Sequence, residues 1–306
     1  MTDERIPLGA WIDAAVAWLL DHAAWLFDAI FFVVDGLVTG MQGFLRLVPA
    51  WVLALVLGGL GAWRVGWRFA TFTLASLALV VGIGLWDSTM DTLALVLSAT
   101  LISLVVGMPI GVWAARRDRV WKVVRPVLDL MQTMPAFVYL IPAVMFFSTG
   151  QVPGTIATTI FATPPAVRLT NLGIRQVSRE MVEAGLAFGC TPWQLLLKVQ
   201  IPAAVPSIMA GVNQTIMLAL SMVVIASMIG AGGLGDVVLS GIQRLDVGIG
   251  FEGGVGVVIV AIVLDRLTQS FGAGRRRSLG ERLRELLWPT APESVAPAPS
   301  HGRKEA

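Results

Sequence analysis

Long apolar runs, interrupted by short clusters of charge, glycine and proline, set the pattern of this chain. They fall at about residues 48–63, 69–86, 92–115, 127–149, 152–172, 204–229 and 249–270. Several approach the twenty or so apolar residues that cross about 30 Å of hydrocarbon as a helix. The pattern predicts an all-α, polytopic membrane bundle of about seven spans. Pro135 and Pro142 interrupt the fourth run, and Pro164 and Pro165 the fifth. Such breaks survive at membrane depth only where backbone is buried in protein or lines a wet cavity. In the seventh run only twelve residues separate Glu252 from Asp265. Both acids then sit near opposite interfaces, or the helix is short and tilted.

The segments outside the runs divide the rest. In residues 1–46, Trp11, Trp18, Trp25 and Phe32 recur every seven residues, as do Asp21, Asp28 and Asp35. An aromatic flank beside an acidic edge predicts an extracytoplasmic helix lying in the membrane interface. A helix packed on the bundle with a solvated acidic edge is the other reading. Residues 47–272 form the transmembrane domain. In the tail, 273–306, a charged helical stretch from Glu281 to Leu287 precedes a run of prolines that predicts disorder.

One internal segment, 174–202, is too polar to cross a bilayer and is well punctuated. Ser178 caps a short helix whose first turns carry Glu180 and Glu183, acids favoured by the helix dipole. Gly189 supplies the stop. Thr191-Pro192-Trp193-Gln194 restarts the chain, with Thr191 as cap, Pro192 first in the helix and Gln194 closing a capping box. Pro202 and Pro206 end or kink this second helix where the next apolar run begins. The product is a helix–elbow–helix at the membrane surface.

Glu183-Ala184-Gly185, Gly189 and Val199-Gln200-Ile201-Pro202 resemble the EAA loop of ABC-transporter permeases, in which Glu-Ala-Ala precedes a glycine and then Ile-x-Leu-Pro. Gly185, Val199 and Ile201 depart from that pattern. Gln132-Thr133-Met134-Pro135, Thr163-Pro164-Pro165-Ala166-Val167-Arg168, Asn213-Gln214-Thr215-Ile216-Met217 and Gly230-Ala231-Gly232-Gly233-Leu234-Gly235 resemble the permease subunit of glycine betaine/proline uptake systems. The similarity covers roughly residues 45–272. It implies a type I importer permease that dimerises around a central path and moves its substrate by alternating access. It also implies two ATPase chains that bind ATP and magnesium, and an extracytoplasmic binding protein that delivers glycine betaine or a related osmolyte. The elbow is then the coupling helix. The carry-over falls on Glu183, Ala184, Gly185 and Gly189, with Pro202 closing the motif.

Composition and charge narrow this further. At 56% hydrophobic and 14% charged, the chain is not a soluble domain. Basic residues at 64–68, 116–125, 175–198 and 275–277 fall on one side of the alternating spans. By the positive-inside rule the C-terminus is cytoplasmic and the N-terminus outside, in a bacterial inner membrane. Trp51, Trp63, Trp67, Trp86 and Trp113 lie near span ends, as an aromatic belt does. None of Lys122, Lys198 and Lys304 follows a glycine, so no P-loop is present and ATP hydrolysis belongs to another chain. Cys190 is alone, and His22 and His301 are too few for a metal site. No catalytic residue, metal, bound cofactor or nucleic-acid partner is expected.

Gln132, Thr133, Met134, Pro135, Tyr139, Asn213 and Gln214 are the candidate lining of the path. The polar ones equally suit hydrogen bonds between helices. Phe137, Tyr139, Phe146 and Phe147 either face a quaternary ammonium or simply pack. The glycine-rich 230–235 turn is close-packed near the binding-protein surface, or a flexible loop. Asp265 and Arg266 read as paired or snorkelling anchors. Choline, carnitine or an amino acid are alternative cargoes. An ion-coupled transporter would need ionisable residues at mid-membrane, where only neutral polar ones are read.

Overall fold

The computed structural model describes residues 8–272, and the predicted tail features lie outside them. All regular structure there is helical, and each predicted run is found as helix. α1 (Leu8–Leu47) kinks where Ala23 leaves helical geometry, with φ −119° and ψ 19°. Trp11, Trp18, Trp25 and Phe32 are exposed, whereas Val34, Val38 and Leu45 are buried. The Phe27 ring stacks on Phe146 at 4.4 Å, and Arg46 pairs with Asp91 at 2.7 Å. The second half of α1 therefore packs on the bundle, with Val34 and Val38 in one cluster with Ile102, Phe147 and Ile156, and Gly9–Leu47 is long and apolar enough to cross a membrane.

α2 (Ala50–Arg64) and α3 (Trp67–Gly82) form a tight hairpin around Gly66. At 15 and 16 residues, each is shorter than the helices long enough to cross a membrane. α4 (Trp86–Arg116) is the first long span of the core. The fourth predicted span is found as two pieces. α5 (Asp118–Thr133) starts within the expected loop, and after Pro135 a 3-10 turn (Ala136–Tyr139) leads into α6 (Leu140–Phe147). The pieces are bent by 108°. α7 (Gln151–Arg175) follows. The elbow is α8 (Arg179–Ala187) and α9 (Pro192–Leu195), which a π-helical turn (Leu196–Gln200) joins to α10 (Ile201–Ser221). α11 (Val223–Ser227), α12 (Leu234–Arg244) and α13 (Val247–Gly272) complete the bundle. The expected 230–246 loop thus contains a helix, α12, packed on α13.

α7 sits between α4 and α10 because small residues let the backbones close up. A Cβ at Gly111 of α4 would lie 2.7 Å from Thr170 and 2.8 Å from the Val167 carbonyl. One at Gly211 of α10 would lie 3.2 Å from the Pro165 carbonyl. Threonines dilute the hydropathy of α7; the hydroxyls of Thr158, Thr159 and Thr163 donate to carbonyls one turn back, whereas the buried Thr155 hydroxyl has no partner. The Thr158 hydroxyl donates to the Gly154 carbonyl at 2.7 Å, and Ser103 of α4 donates to the Thr159 carbonyl at 3.1 Å. Burial in protein, rather than lipid exposure, is what permits so polar a helix at this depth.

At the end opposite the elbow, two turns mate through backbone. The Gly150 N–H donates to the Ile229 carbonyl at 2.8 Å. The Leu234 N–H donates to the Thr92 hydroxyl at 2.8 Å, and the Ser227 hydroxyl donates to the Gly232 carbonyl at 3.1 Å. Ala231 and Leu234 are buried in the main core cluster. The glycine-rich turn is therefore close-packed.

Candidate functional site

The elbow is built as its punctuation predicts. The Ser178 hydroxyl accepts from the Met181 N–H at 3.4 Å. Thr191 and Gln194 form a reciprocal capping box, at 3.3 Å and 2.9 Å. Gly189 has φ +76°, the Cys190 N–H reaches the Gly185 carbonyl at 3.1 Å, and the Gly189 N–H reaches Leu186 at 2.9 Å. These two bonds are a Schellman stop. Gly185 is buried because α8 crosses α9 there. A Cβ would lie 2.6 Å from the flexible end of Leu195, at the position where the EAA pattern has alanine. Glu183 and Ala184 are exposed on α8.

Pro202, expected to end or kink the second elbow helix, stands in the first turn of α10 without interrupting it. In the π turn ahead of it, the Ile201 N–H reaches back to the Leu196 carbonyl. Pro192–Ser221 is consequently one helical stretch, and α9 is joined rigidly to a span. On the other side, three residues link α8 to α7. Met181, Leu186, Phe188, Trp193 and Leu197 leave apolar surface uncovered on the elbow, Phe188 at 89% exposure. The guanidinium of Arg116, at the end of α4, lies over the Trp193 ring at 5.0 Å.

The candidate path residues do not form one group. Met134 and Tyr139 meet Met222, at the α10–α11 break, and Phe161 in a single apolar cluster, so two broken helices adjoin. Gln132, Thr133, Pro135 and Gln214 are exposed. The Asn213 amide donates to Asp265 at 2.8 Å, which also accepts from Gln269 at 2.7 Å. Asn213 therefore joins α10 to α13, and Asp265 engages these amides instead of Arg266. Phe146 and Phe147 pack on Phe27, while Phe137 is exposed.

Tyr139 has a local task. In an unbroken helix, residue 135 would donate to the Met131 carbonyl; proline has no N–H to give. The Tyr139 hydroxyl donates there at 2.6 Å, bridging the break. Tyr139→Phe keeps the ring beside Phe161 and strands this carbonyl. It is expected to cost about 1–3 kcal/mol, read as a lower thermal midpoint of the solubilised protein. An unchanged midpoint would remove the brace.

Arg168 and Asp129, near the ends of the fifth and fourth predicted spans rather than at mid-span, pair at 2.5 Å. Arg175 pairs with Asp118 at 2.7 Å and donates to the Ala114 carbonyl at 2.8 Å. The signal was available in the sequence: an arginine within a span needs a partner, and the neighbouring run offered Asp129.

The profile of the family described as "Binding-protein-dependent transport system inner membrane component" matches residues 107–277. The chain is 52% identical over 278 residues to the Escherichia coli glycine betaine/proline betaine transport system permease protein ProW, covering 90% of this chain and 78% of that protein. It is 53% identical over 270 residues to the Listeria monocytogenes glycine betaine/carnitine transport permease protein GbuB, covering 87% and 95%. A chain of the inward-facing MetNI methionine ABC transporter shares the fold, with a TM-score of 0.54 at 22% identity, covering 61% of this chain and 95% of that one.

Proposed function

The chain belongs to the family of binding-protein-dependent transport system inner membrane components, and from that premise we propose that it is the permease subunit of an ATP-driven importer of glycine betaine or a related quaternary-ammonium osmolyte. The substrate class rests on one observation, the similarity along most of the chain to permeases named for glycine betaine. Two copies of the permease form the translocation path between them. Two copies of a separate ATPase grip the elbows, and an extracytoplasmic binding protein delivers the cargo. ATP and magnesium are bound on the ATPase, not on this chain.

The elbow supports this division of labour. It is a capped, rigid bracket continuous with α10, linked to α7 by three residues, and its apolar surface is uncovered. Closure of the ATPases around nucleotide would turn it as a rigid body and tilt both spans. The basic residues at the elbow end support a cytosolic orientation for that end, and with it a C-terminus inside and an N-terminus outside.

Carnitine is a second reading, favoured by the name of the Listeria relative. Permease, ATPase and binding protein reconstituted in liposomes are expected to accumulate labelled glycine betaine only with ATP and the binding protein present. Uptake that persists without the ATPase, or accumulation of carnitine but not glycine betaine, would overturn the respective part of this assignment.

A further inference from the structure

α5 is held differently from every long helix around it. Of its sixteen residues only Leu128 is buried. Beside that residue and the Tyr139 bond to the Met131 carbonyl, it has two ionic attachments, and both reach the same neighbour, α7. Asp118, its first residue, pairs with Arg175, the last residue of α7, at 2.7 Å. Asp129 pairs with Arg168 at 2.5 Å, while Arg125 lies 3.9 Å from its other oxygen. The order is antiparallel. The two acids are about 16 Å apart along α5 and the two arginines about 10 Å apart along α7, so the pairs pin the helix at two separated points. Arg168 and Asp129 have side chains 35% and 52% exposed.

What lies at each end gives the arrangement its meaning. Three residues beyond Arg175 the elbow begins. Three residues beyond Asp129 come Gln132, Thr133, Met134 and Pro135, the break that meets Met222 of the other broken helix. We propose that Arg168 and Asp129 are a positioning pair that makes α5 travel with α7, carrying displacement of the elbow to the Gln132–Pro135 break. Asp118 and Arg175 hold the lower end of the same strut. This rests on the reading of the chain as an ATP-driven permease. The pair binds no cargo, and its task is to keep one rigid unit from elbow to break.

The test uses the assembled transporter in liposomes, all variants compared in a Cys190→Ser background. Asp129→Asn and Arg168→Gln are each expected to lower uptake about tenfold, the loss expected of one charge-assisted hydrogen bond, while ATP hydrolysis continues. The exchanged pair Asp129→Arg with Arg168→Asp is expected to recover uptake, which a folding defect would not. Asp129→Cys with Arg168→Cys, bridged by a short reducible dithiol cross-linker, separates the strut from a latch. A strut transports when bridged and fails when the bridge is reduced. Normal uptake by the single variants, no recovery on exchange, or arrest by the bridge overturns the proposal. Absence of uptake by the unsubstituted transporter would instead count against the assignment of function.

Discussion

Gly235→Ala is expected to yield little folded protein, although alanine is the better helix former and Gly235 is the second residue of α12. The propensity gain is about 1 kcal/mol. Against it stands the approach of α11. A Cβ at 235 would press on the Ser227 hydroxyl and the Val223 carbonyl, and would lie 2.8 Å from the Val223 carbonyl carbon. Two of these atoms are backbone and cannot rotate aside, and Ser227 is already engaged with the Val223 and Gly232 carbonyls. Relief requires α11 and α12 to separate, which also pulls Leu234 from the core and its N–H from Thr92. Overpacking of this kind costs about 3 kcal/mol or more. Two neighbouring controls isolate the cause. Gly232 has φ +75° but nothing within 4 Å of a Cβ, so Gly232→Ala adds only left-handed strain of about 1–2 kcal/mol. Gly59, with no positive φ and open space, is expected to accept alanine with no loss. The measurements are yield of monodisperse protein and thermal midpoint in detergent. If Gly235→Ala matches the unsubstituted chain in both, the close approach of α11 and α12 is not real.

The contrast between these glycines marks where sequence stops being informative. Gly230 to Gly235 can be recognised as a turn, but flexible and close-packed turns have the same composition. Thr92, more than a hundred residues away, decides between them by accepting the Leu234 N–H. The elbow was legible because its determinants are local. Ser178, Gly189, Thr191 and Gln194 act within a few residues of themselves, and the structure places all four in the caps their spacing implies. The all-helical membrane architecture was legible for a related reason, since hydropathy reports the solvent directly. The fourth span was not. Pro135 announced a break without giving its angle, and the charges on 118–125 read as a loop although they belong to a helix tied to α7. Asn213 was ambiguous for the same reason: an amide in a span pairs with whatever faces it, and Asp265 faces it.

The largest functional effect is expected at Gly189, where fold and docking can be separated. Gly189 has φ +76°, and a Cβ built there meets nothing within 4 Å. Any substitution therefore carries backbone strain of about 1–2 kcal/mol, but none creates a clash inside the elbow. Asparagine, which tolerates this conformation, carries the least. The side chain would project from the turn beside Phe188, among the uncovered apolar residues of the bracket. Gly189→Asn, Gly189→Ala and Gly189→Trp then form a series with bounded strain and increasing bulk. If the turn inserts into the ATPase, Asn and Ala transport nearly normally. Trp is inserted in the membrane but loses the ATPase during purification, and its uptake falls by a factor of ten or more, an energetic gap of about 1.4 kcal/mol or greater. If the residue acts only through its own backbone, Ala and Trp are equally impaired, and the elbow is not the docking surface. Gly185 provides the opposite control, because it faces inward. A Cβ there meets the flexible end of Leu195, so Gly185→Ala is absorbed, while Gly185→Leu separates α8 from α9 and lowers stability together with transport. Loss of transport by Gly189→Trp at a stability matching Gly189→Ala, and joint loss of both by Gly185→Leu, is the pattern that a rigid bracket gripped from outside requires.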